Sequence, residues 1–393
     1  MLETDLVVHA GGHSRRNCPQ VFDLPGASPK TGQAAELTTE AGGRLPAQIL
    51  PQVPGPGGAA GPMRVAFVLP ELAAGERLAL RAKLGCDRAT VVDRIAVRDD
   101  GSGTVTVTVD GELLTAYRYL GNPARPCFFP VIGPGGKRVT RSWPIAADVP
   151  GEQQDHPHHR SLWVAHGKMN GTDNWSEGPG HGYQLHRGIV ATSGGPVLGS
   201  MTACNDWTDH DRKKIAEERR TLTAYAVSGN ARIFDLEVCF TATECDVRFG
   251  DTKEGGILAM RVASSMAGES GGRIENSYGG AGEAECWGRR AQWCDYSGEV
   301  EGEVLGIAIF DHPNSYGHPT HWHVRDYGMY TANPFGWHDF FSDPAMDGSH
   351  LLQRGASLRF RYRAYLHQGT AAEADVAARY HDYANPPRVE VMR

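Results

Sequence analysis

The chain has 393 residues, 40% of them hydrophobic and 22% charged, and a formal net charge of −7. That balance suits a soluble globular protein with a substantial core, and the lack of a basic block argues against nucleic acid as a partner. No apolar run reaches the roughly 18–20 residues of a membrane helix. The opening residues hold no basic stretch followed by an apolar one, so the expected location is cytoplasmic, with no membrane partner.

Eight cysteines, at 18, 86, 127, 204, 239, 245, 286 and 294, are scattered without a Cys-x-x-Cys pair. That spacing offers neither a zinc ribbon nor a redox motif and fits small buried thiols in a reducing compartment. With 49 glycines, 24 prolines and few helical stretches, the composition favours an all-β chain.

In chain order, residues 6–9 read as a short strand. A polar turn with His13, Arg15, Arg16 and Asn17 follows, either a solvated loop or an outlying part of a site. Residues 52–62 are a Pro/Gly loop. With strand-like stretches at 63–69, 77–84 and 90–97, they imply a small N-terminal β-domain over 1–102. The clearest hairpin pairs 105–109 with 112–119 across Asp110-Gly111, a favoured two-residue turn. Strands continue at 189–193 with 197–204, at 220–227 with 232–241, and at 257–263, 304–310 and 358–367. Residues 103–393 are therefore expected to form a large antiparallel β-sandwich. Residues 371–383, alanine-rich and stopping before Pro386 and Pro387, predict a C-terminal helix packed on the sandwich or on a partner.

Fifteen of the 17 histidines lie from residue 156 onward, which assigns any chemistry to the second part. The densest stretch is 155–175. It carries Asp155, His156, His158, His159, Arg160 and His166 among Trp163 and Trp175. Pro157 argues against a central strand there, so adjacent side chains can turn into a common pocket. Histidines in such a loop suit acid–base work or metal ligation, and Arg160 suits an anion or a polarised carbonyl. Hydrogen-bonded loop histidines are the plain alternative. A second constellation, His318 to Gly328, places His321 and His323 on one strand face with Arg325, and Trp322 on the other. The two His-x-His pairs, 156/158 and 321/323, raise a metal reading. The plain alternative is a strand whose histidines line a polar cleft. A third, Asp251, Lys253 and Glu254 between Phe249 and Gly256, offers a carboxylate and a cation, or simply an exposed turn. A fourth gathers Tyr327, Tyr330, Asn333, Phe335 and Trp337 with Trp163 and Trp175, suited to sugar rings or to ordinary core. No dinucleotide fingerprint, phosphate loop or nucleophile elbow is present, so no nucleotide cofactor is expected.

These residues carry a family resemblance. The pieces are Arg125-Pro126, then 128–141 (Phe-Phe-Pro-Val-Ile-Gly-Pro-Gly-Gly-Lys-Arg-Val-Thr-Arg), then 155–160 with Leu162-Trp163 and His166-Gly167. Phe249 to Gly255 and Pro319 to Gly328 follow, running into Ala332 to Phe335. In this order they resemble the PmoA-like family of bacterial proteins over about residues 110–370. Ser161 stands where glycine is commoner in that family, and Asn174 where an aromatic is common. The resemblance implies a relative of the galactose mutarotase-type supersandwich, found in sugar-catabolic settings. The methane oxygenase label attached to the family does not fit a chain without a membrane span.

The expected function is a carbohydrate-processing enzyme acting on a sugar or keto-sugar glycoside by epimerisation, β-elimination or hydrolysis. In that reading His158, His159 or His323 is the acid and Glu254 or Asp155 the base. Arg160, Lys253, Arg325, Asn333 and His166 contact polar oxygens, and Trp163 and Trp175 wall the pocket. A divalent metal on His156, His158, His321 and His323 is left open. The other readings are a non-catalytic carbohydrate-binding sandwich and a metal-dependent oxygenase. The sequence does not give the oligomeric state.

Overall fold

Alternation of apolar residues along extended segments sets the architecture. In the segment Thr104–Val109, the valines at 105, 107 and 109 are buried and the threonines between them are half-buried, the period of a strand with one covered face. The computed structural model describes residues 2–24, 33–51, 61–87, 91–122 and 124–392. Three large antiparallel sheets carry the fold. Most of the expected Pro/Gly loop, residues 52–60, lies outside the described residues.

Two eight-stranded sheets form the sandwich. The first runs in spatial order Trp322–Val324, Met329–Ala332, Gly255–Arg261, Leu162–His166, Cys127–Val131, Glu112–Arg118, Thr104–Val109 and Ile95–Asp99. The second runs Tyr183–Ser193, Leu198–Thr208, Lys214–Tyr225, Ala231–Thr241, Ser357–Gln368, Glu303–Asp311, Trp293–Val300 and Arg273–Asn276. Their facing sides share one core, which includes Val107, Leu162 and Leu258 from the first and Leu222, Phe240 and Ile307 from the second. The expected hairpin is present, with Asp110 and Gly111 both at positive φ (52° and 84°) as a primed two-residue turn demands.

The seven-stranded sheet has its own core around Val8, Phe67 and Leu80. Two boundaries differ from the expectation. Ile95–Asp99, placed by sequence in the N-terminal domain, is an edge strand of the sandwich, paired with Thr104–Val109. Arg388–Val391, at the other end of the chain, pairs with Leu2–His9 in the N-terminal sheet. The first pairing is a local hairpin, whereas the second joins strands at opposite ends of the chain and leaves no short-range signal.

The C-terminal helix spans Val376–Ala384, starting later than the alanine-rich run because Asp375 sits in the left-handed region (φ 54°). Val376, Tyr380 and Tyr383 pack on Phe310 and Tyr365 at the outer face of the second sheet. Its other side faces the N-terminal sheet. Of the residues expected as a polar turn, 15–17 instead open the strand Arg15–Leu24, and they contribute to a junction between units, since Arg15 is 3.5 Å from Asp382 and donates to the carbonyls of His381 and Asn385. No helix among the described residues is long and apolar enough to cross a membrane.

The site is positioned by the strand Leu162–His166. Leu162 and Val164 enter the core between the sheets. Trp163 and Ala165 point to the opposite face, where they form a smaller cluster with Cys127, Trp175, Ala259 and Met329. Ile145 and Trp175, from the irregular segments 141–161 and 167–182, pack into that outer cluster.

Candidate active site

A cavity of about 510 Å³ opens above this cluster. Its wall is drawn from three separate parts of the sequence: His156, His158, His159, Asp173, Trp175 and Ser176; then Thr252, Lys253 and Glu254; then His323, Arg325 and Tyr327. Register brings them together. Leu162–His166 pairs with Gly255–Arg261, which pairs with Met329–Ala332, so the loops leaving these strands converge at one place.

The loop 155–161 is held from below by charge. Asp155 Oδ1 accepts from Arg141 and from Arg261 Nη2 (2.7 Å), both guanidiniums being fully buried, while Oδ2 meets His156 Nδ1 at 2.9 Å. Burial alone would raise this carboxyl; the charge and hydrogen bond of Arg261, with His156 and Arg141, outweigh it and bring it down to about 2. Asp155 is therefore an anchor for the loop and a poor base, which corrects its expected catalytic role. Ser161, at φ 57°, occupies the left-handed region that glycine enters most freely. Its hydroxyl is 2.7 Å from that of Thr140 and its carbonyl accepts from Arg261 N–H.

His159 lies nearly parallel to His156 (centroids 4.7 Å apart) and to Trp163 beneath it (5.3 Å). Arg261 Nη1 is 3.2 Å from His159 Nδ1. A guanidinium only donates, so Nδ1 must be the unprotonated nitrogen and Nε2 carries the ring's hydrogen. His323 has the opposite tautomer. Its Nδ1 is 2.7 Å from the carbonyl oxygen of Lys253, which only accepts, so Nδ1 is protonated and Nε2 is left as an acceptor. Both rings are held neutral. Burial, then the charges of His158 and Arg261, pushes His159 well below the usual imidazole range, and burial brings His323 down to about 3. His158 is lowered to about 4 by burial and by Arg125. One imidazole thus offers an N–H and another a lone pair to the same cavity. Neutral rings of such low basicity do not supply the protonated general acid expected from sequence.

Glu254 is half-exposed and joined to Lys253 (Nζ to Oε1, 2.9 Å). Arg325 Nε pairs with Glu283 at 3.0 Å. Asp173 caps its own turn, accepting from the N–H groups of Trp175 and Ser176 at 2.7 and 3.0 Å and from the Ser176 hydroxyl.

Other expected contacts are support. Arg160 spends its fork on Glu177, at 2.7 and 2.6 Å, and does not line the cavity. Trp163 is fully buried under His159. His166 falls on the core side of its strand, against Phe249 and Phe335, and burial lowers it to about 4. Asn333 is buried and donates to the carbonyls of Thr252 and Lys253 at 3.0 and 3.1 Å, tying down the loop that orients His323. Asp251 accepts from the N–H of His338. Tyr330 and Phe335 belong to the core. The metal set does not form. His321 is enclosed by Trp337, Phe340 and Phe341, His156 is engaged by Asp155, and no group of three His, Cys, Asp or Glu among the described residues is placed to hold an ion.

Sequence reasoning missed Asp173, Ser176, Thr252 and Gly167 as wall residues, and Arg261 as the partner of His159. The first four flank residues that were singled out. Arg261 is buried like the rest of its strand, whose other residues are uncharged, and becomes legible only once the register of that strand is known.

The profile of a family described as "Family of unknown function (DUF6807)" matches residues 104–381, more than half of the chain. The protein belongs to that family. The matched span of DUF6807 includes every residue of the cavity wall and leaves out the N-terminal sheet. No curated protein matches the sequence. Among solved structures, this DUF6807 chain is similar to an alpha-mannosidase from Enterococcus faecalis V583 (10% identity, TM-score 0.41), covering 100% of this chain and 46% of that one. It is also similar to a protein in the glycosyl hydrolase family 38 from Enterococcus faecalis (10% identity, TM-score 0.43), covering 100% and 47%. The chain spans about half the length of either.

Proposed function

We infer that this protein is a carbohydrate-processing enzyme that moves protons on a sugar or keto-sugar glycoside, by epimerisation, β-elimination or hydrolysis. The observation that carries this is the pair of neutral imidazoles of opposite tautomer in one cavity, His159 with its Nε2–H and His323 with its Nε2 lone pair. A neutral donor can polarise a carbonyl or hydroxyl oxygen without transferring its proton, and a neutral acceptor can hold a sugar hydroxyl by its hydrogen. In this reading Glu254 is the base, His159 steadies the oxygen that gains charge, and His323, too weakly basic to take a proton, orients a hydroxyl at its Nε2. Trp175 and Tyr327 supply apolar surface to the cavity wall. A volume of about 510 Å³ falls in the range of small-molecule pockets. The resemblance to PmoA-like proteins and to the mutarotase-type supersandwich belongs to the same proposal.

The test is incubation with a panel of glycosides and their keto forms, followed by product detection in NMR spectra. Turnover should be lost in Glu254→Ala and cut at least tenfold in His159→Ala and in His323→Ala, with sugar binding weakened but still detectable in the two histidine variants. Binding without turnover of any panel member, in wild type as in the variants, would favour the non-catalytic carbohydrate-binding reading.

A further inference from the structure

Each Lys, Arg, Asp and Glu on the cavity wall already has a partner. Two cations line it, Lys253 and Arg325, and two anions, Asp173 and Glu254. Lys253 Nζ is 2.9 Å from Glu254 Oε1. Arg325 Nε is 3.0 Å from Glu283 Oε1, just behind the wall. Asp173 is engaged by two backbone N–H groups and the Ser176 hydroxyl. The imidazoles of His159 and His323 add no charge in this arrangement, since the first accepts at Nδ1 from Arg261 and the second spends its Nδ1–H on a carbonyl.

We propose that the cavity selects an uncharged, hydroxyl-rich ligand, and that Glu254 sets this selectivity by occupying Lys253, so that uronates and sugar phosphates are refused. The proposal rests on the carbohydrate reading above and names its ligand class. An anionic sugar reaching Lys253 would displace Glu254 and leave that carboxylate unpaired beside a like charge, with Asp173 on the same wall. Like charges brought together at short range are repelled, most strongly where water is partly excluded. A hydroxyl meets no such barrier. It both donates and accepts, matching the Nε2 lone pair of His323 and the Nε2–H of His159, with Trp175 and Tyr327 supplying apolar wall beside it.

The experiment is saturation-transfer NMR followed by calorimetry on the full chain. The probes are methyl glucosides, galactosides and mannosides, against glucuronate, galacturonate and the hexose 6-phosphates. The expected result is that at least one neutral glycoside binds tenfold or more tightly than every anionic probe. Glu254→Gln, at a half-exposed position, should raise affinity for an anionic probe at least tenfold by releasing Lys253, and Glu283→Gln should do the same more weakly through Arg325. An anionic probe that binds wild type as tightly as the neutral ones overturns the selectivity and leaves the carbohydrate reading standing. Failure of both variants to gain anion binding overturns the role given to Glu254. Failure of wild type and both variants to bind any probe overturns the selectivity together with the carbohydrate reading.

Discussion

Gly167 donates its backbone N–H to the carbonyl oxygen of Glu254 across 2.7 Å, joining the histidine-rich segment to the loop that carries Lys253 and Glu254. A Cβ at Gly167 would lie 2.7 Å from that same oxygen and 3.1 Å from Glu254 Cβ. Backbone cannot move aside as a side-chain tip can. Gly167→Ala should therefore push the two cavity walls apart, costing about 1–3 kcal/mol of stability and weakening ligand binding. Thermal unfolding and ligand titration of the same preparation check both effects. Unchanged binding would mean that the approach of these two backbones does not shape the cavity.

Asp155 serves two buried guanidiniums at once, so its removal is a stability experiment before it is a catalytic one. Asp155→Ala leaves Arg141 and Arg261 without their shared carboxylate. Unpairing buried charges typically costs about 3–5 kcal/mol, and the partial exposure of Asp155 (38%) lowers the expectation to about 2–3 kcal/mol. Denaturant unfolding should show this loss, and Asp155→Asn, which keeps an acceptor, should recover part of it. Full stability with selective loss of turnover would instead restore Asp155 to the role of base.

How much of this could be seen beforehand depends on the range of the interaction that fixes each residue. The all-β class, the Asp110-Gly111 hairpin and the density of histidines at 155–175 are local patterns, and they were legible. That Trp163 points one way and His166 the other is also local, following from strand parity once the strand Leu162–His166 is recognised. Arg160 and Glu177 are different. Nothing in the spacing of residues 160 and 177 says that they consume each other, and the guanidinium reads as a free ligand contact until the loop's path is known. The same holds for Arg261, whose meaning depends on a strand pairing across about a hundred residues. The last strand, Arg388–Val391, joins the first by a contact spanning the whole chain, the longest-range feature of all.

Asn333 offers a way to separate positioning from contact. It lies behind the loop, and its amide donates to the two carbonyls that set the path of residues 252–253. Asn333→Ala removes both bonds and the acceptor used by Phe335 N–H. The expected cost is about 1–3 kcal/mol for buried partners left unsatisfied. With Lys253 O displaced, His323 loses its orientation, so kcat should fall while KM for a substrate gripped elsewhere changes little. A pure rise in KM would argue that Asn333 touches ligand directly.

The opposite tautomers of His159 and His323 are directly measurable. Long-range proton–nitrogen spectra of labelled protein at neutral pH should show His159 protonated at Nε2 and His323 at Nδ1, each as a neutral ring. Arg261→Gln should release His159 to the other tautomer or to a mixture, because an amide can present either a donor or an acceptor. Identical spectra in wild type and variant would show that Arg261 does not set the tautomer.

Acid stability follows from the buried imidazoles, with a definite sign. His166 is lowered to about 4 and His321 to about 4 by burial, and His323 to about 3. An imidazole in the unfolded chain titrates near 6.5. Below that pH the unfolded state binds protons that the folded state refuses, so stability is lost as pH falls from about 6.5 toward the folded values and levels off beneath them. For His166, fully buried, the loss at pH 5 is about 2 kcal/mol. The carboxylate of Asp155, at about 2, acts only in a lower window, beneath the ordinary carboxylate range. Denaturant melts between pH 4 and 7 should therefore show a steep acid slope set by histidine. His166→Phe, which suits a site between Phe249 and Phe335, should flatten part of that slope while leaving the lower window in place. Because His159 and His323 are both held neutral, neither ring gives turnover an acid limb near 6.5 in folded protein. An activity limb near 6.5 in fully folded protein would contradict the neutral state assigned to these two rings.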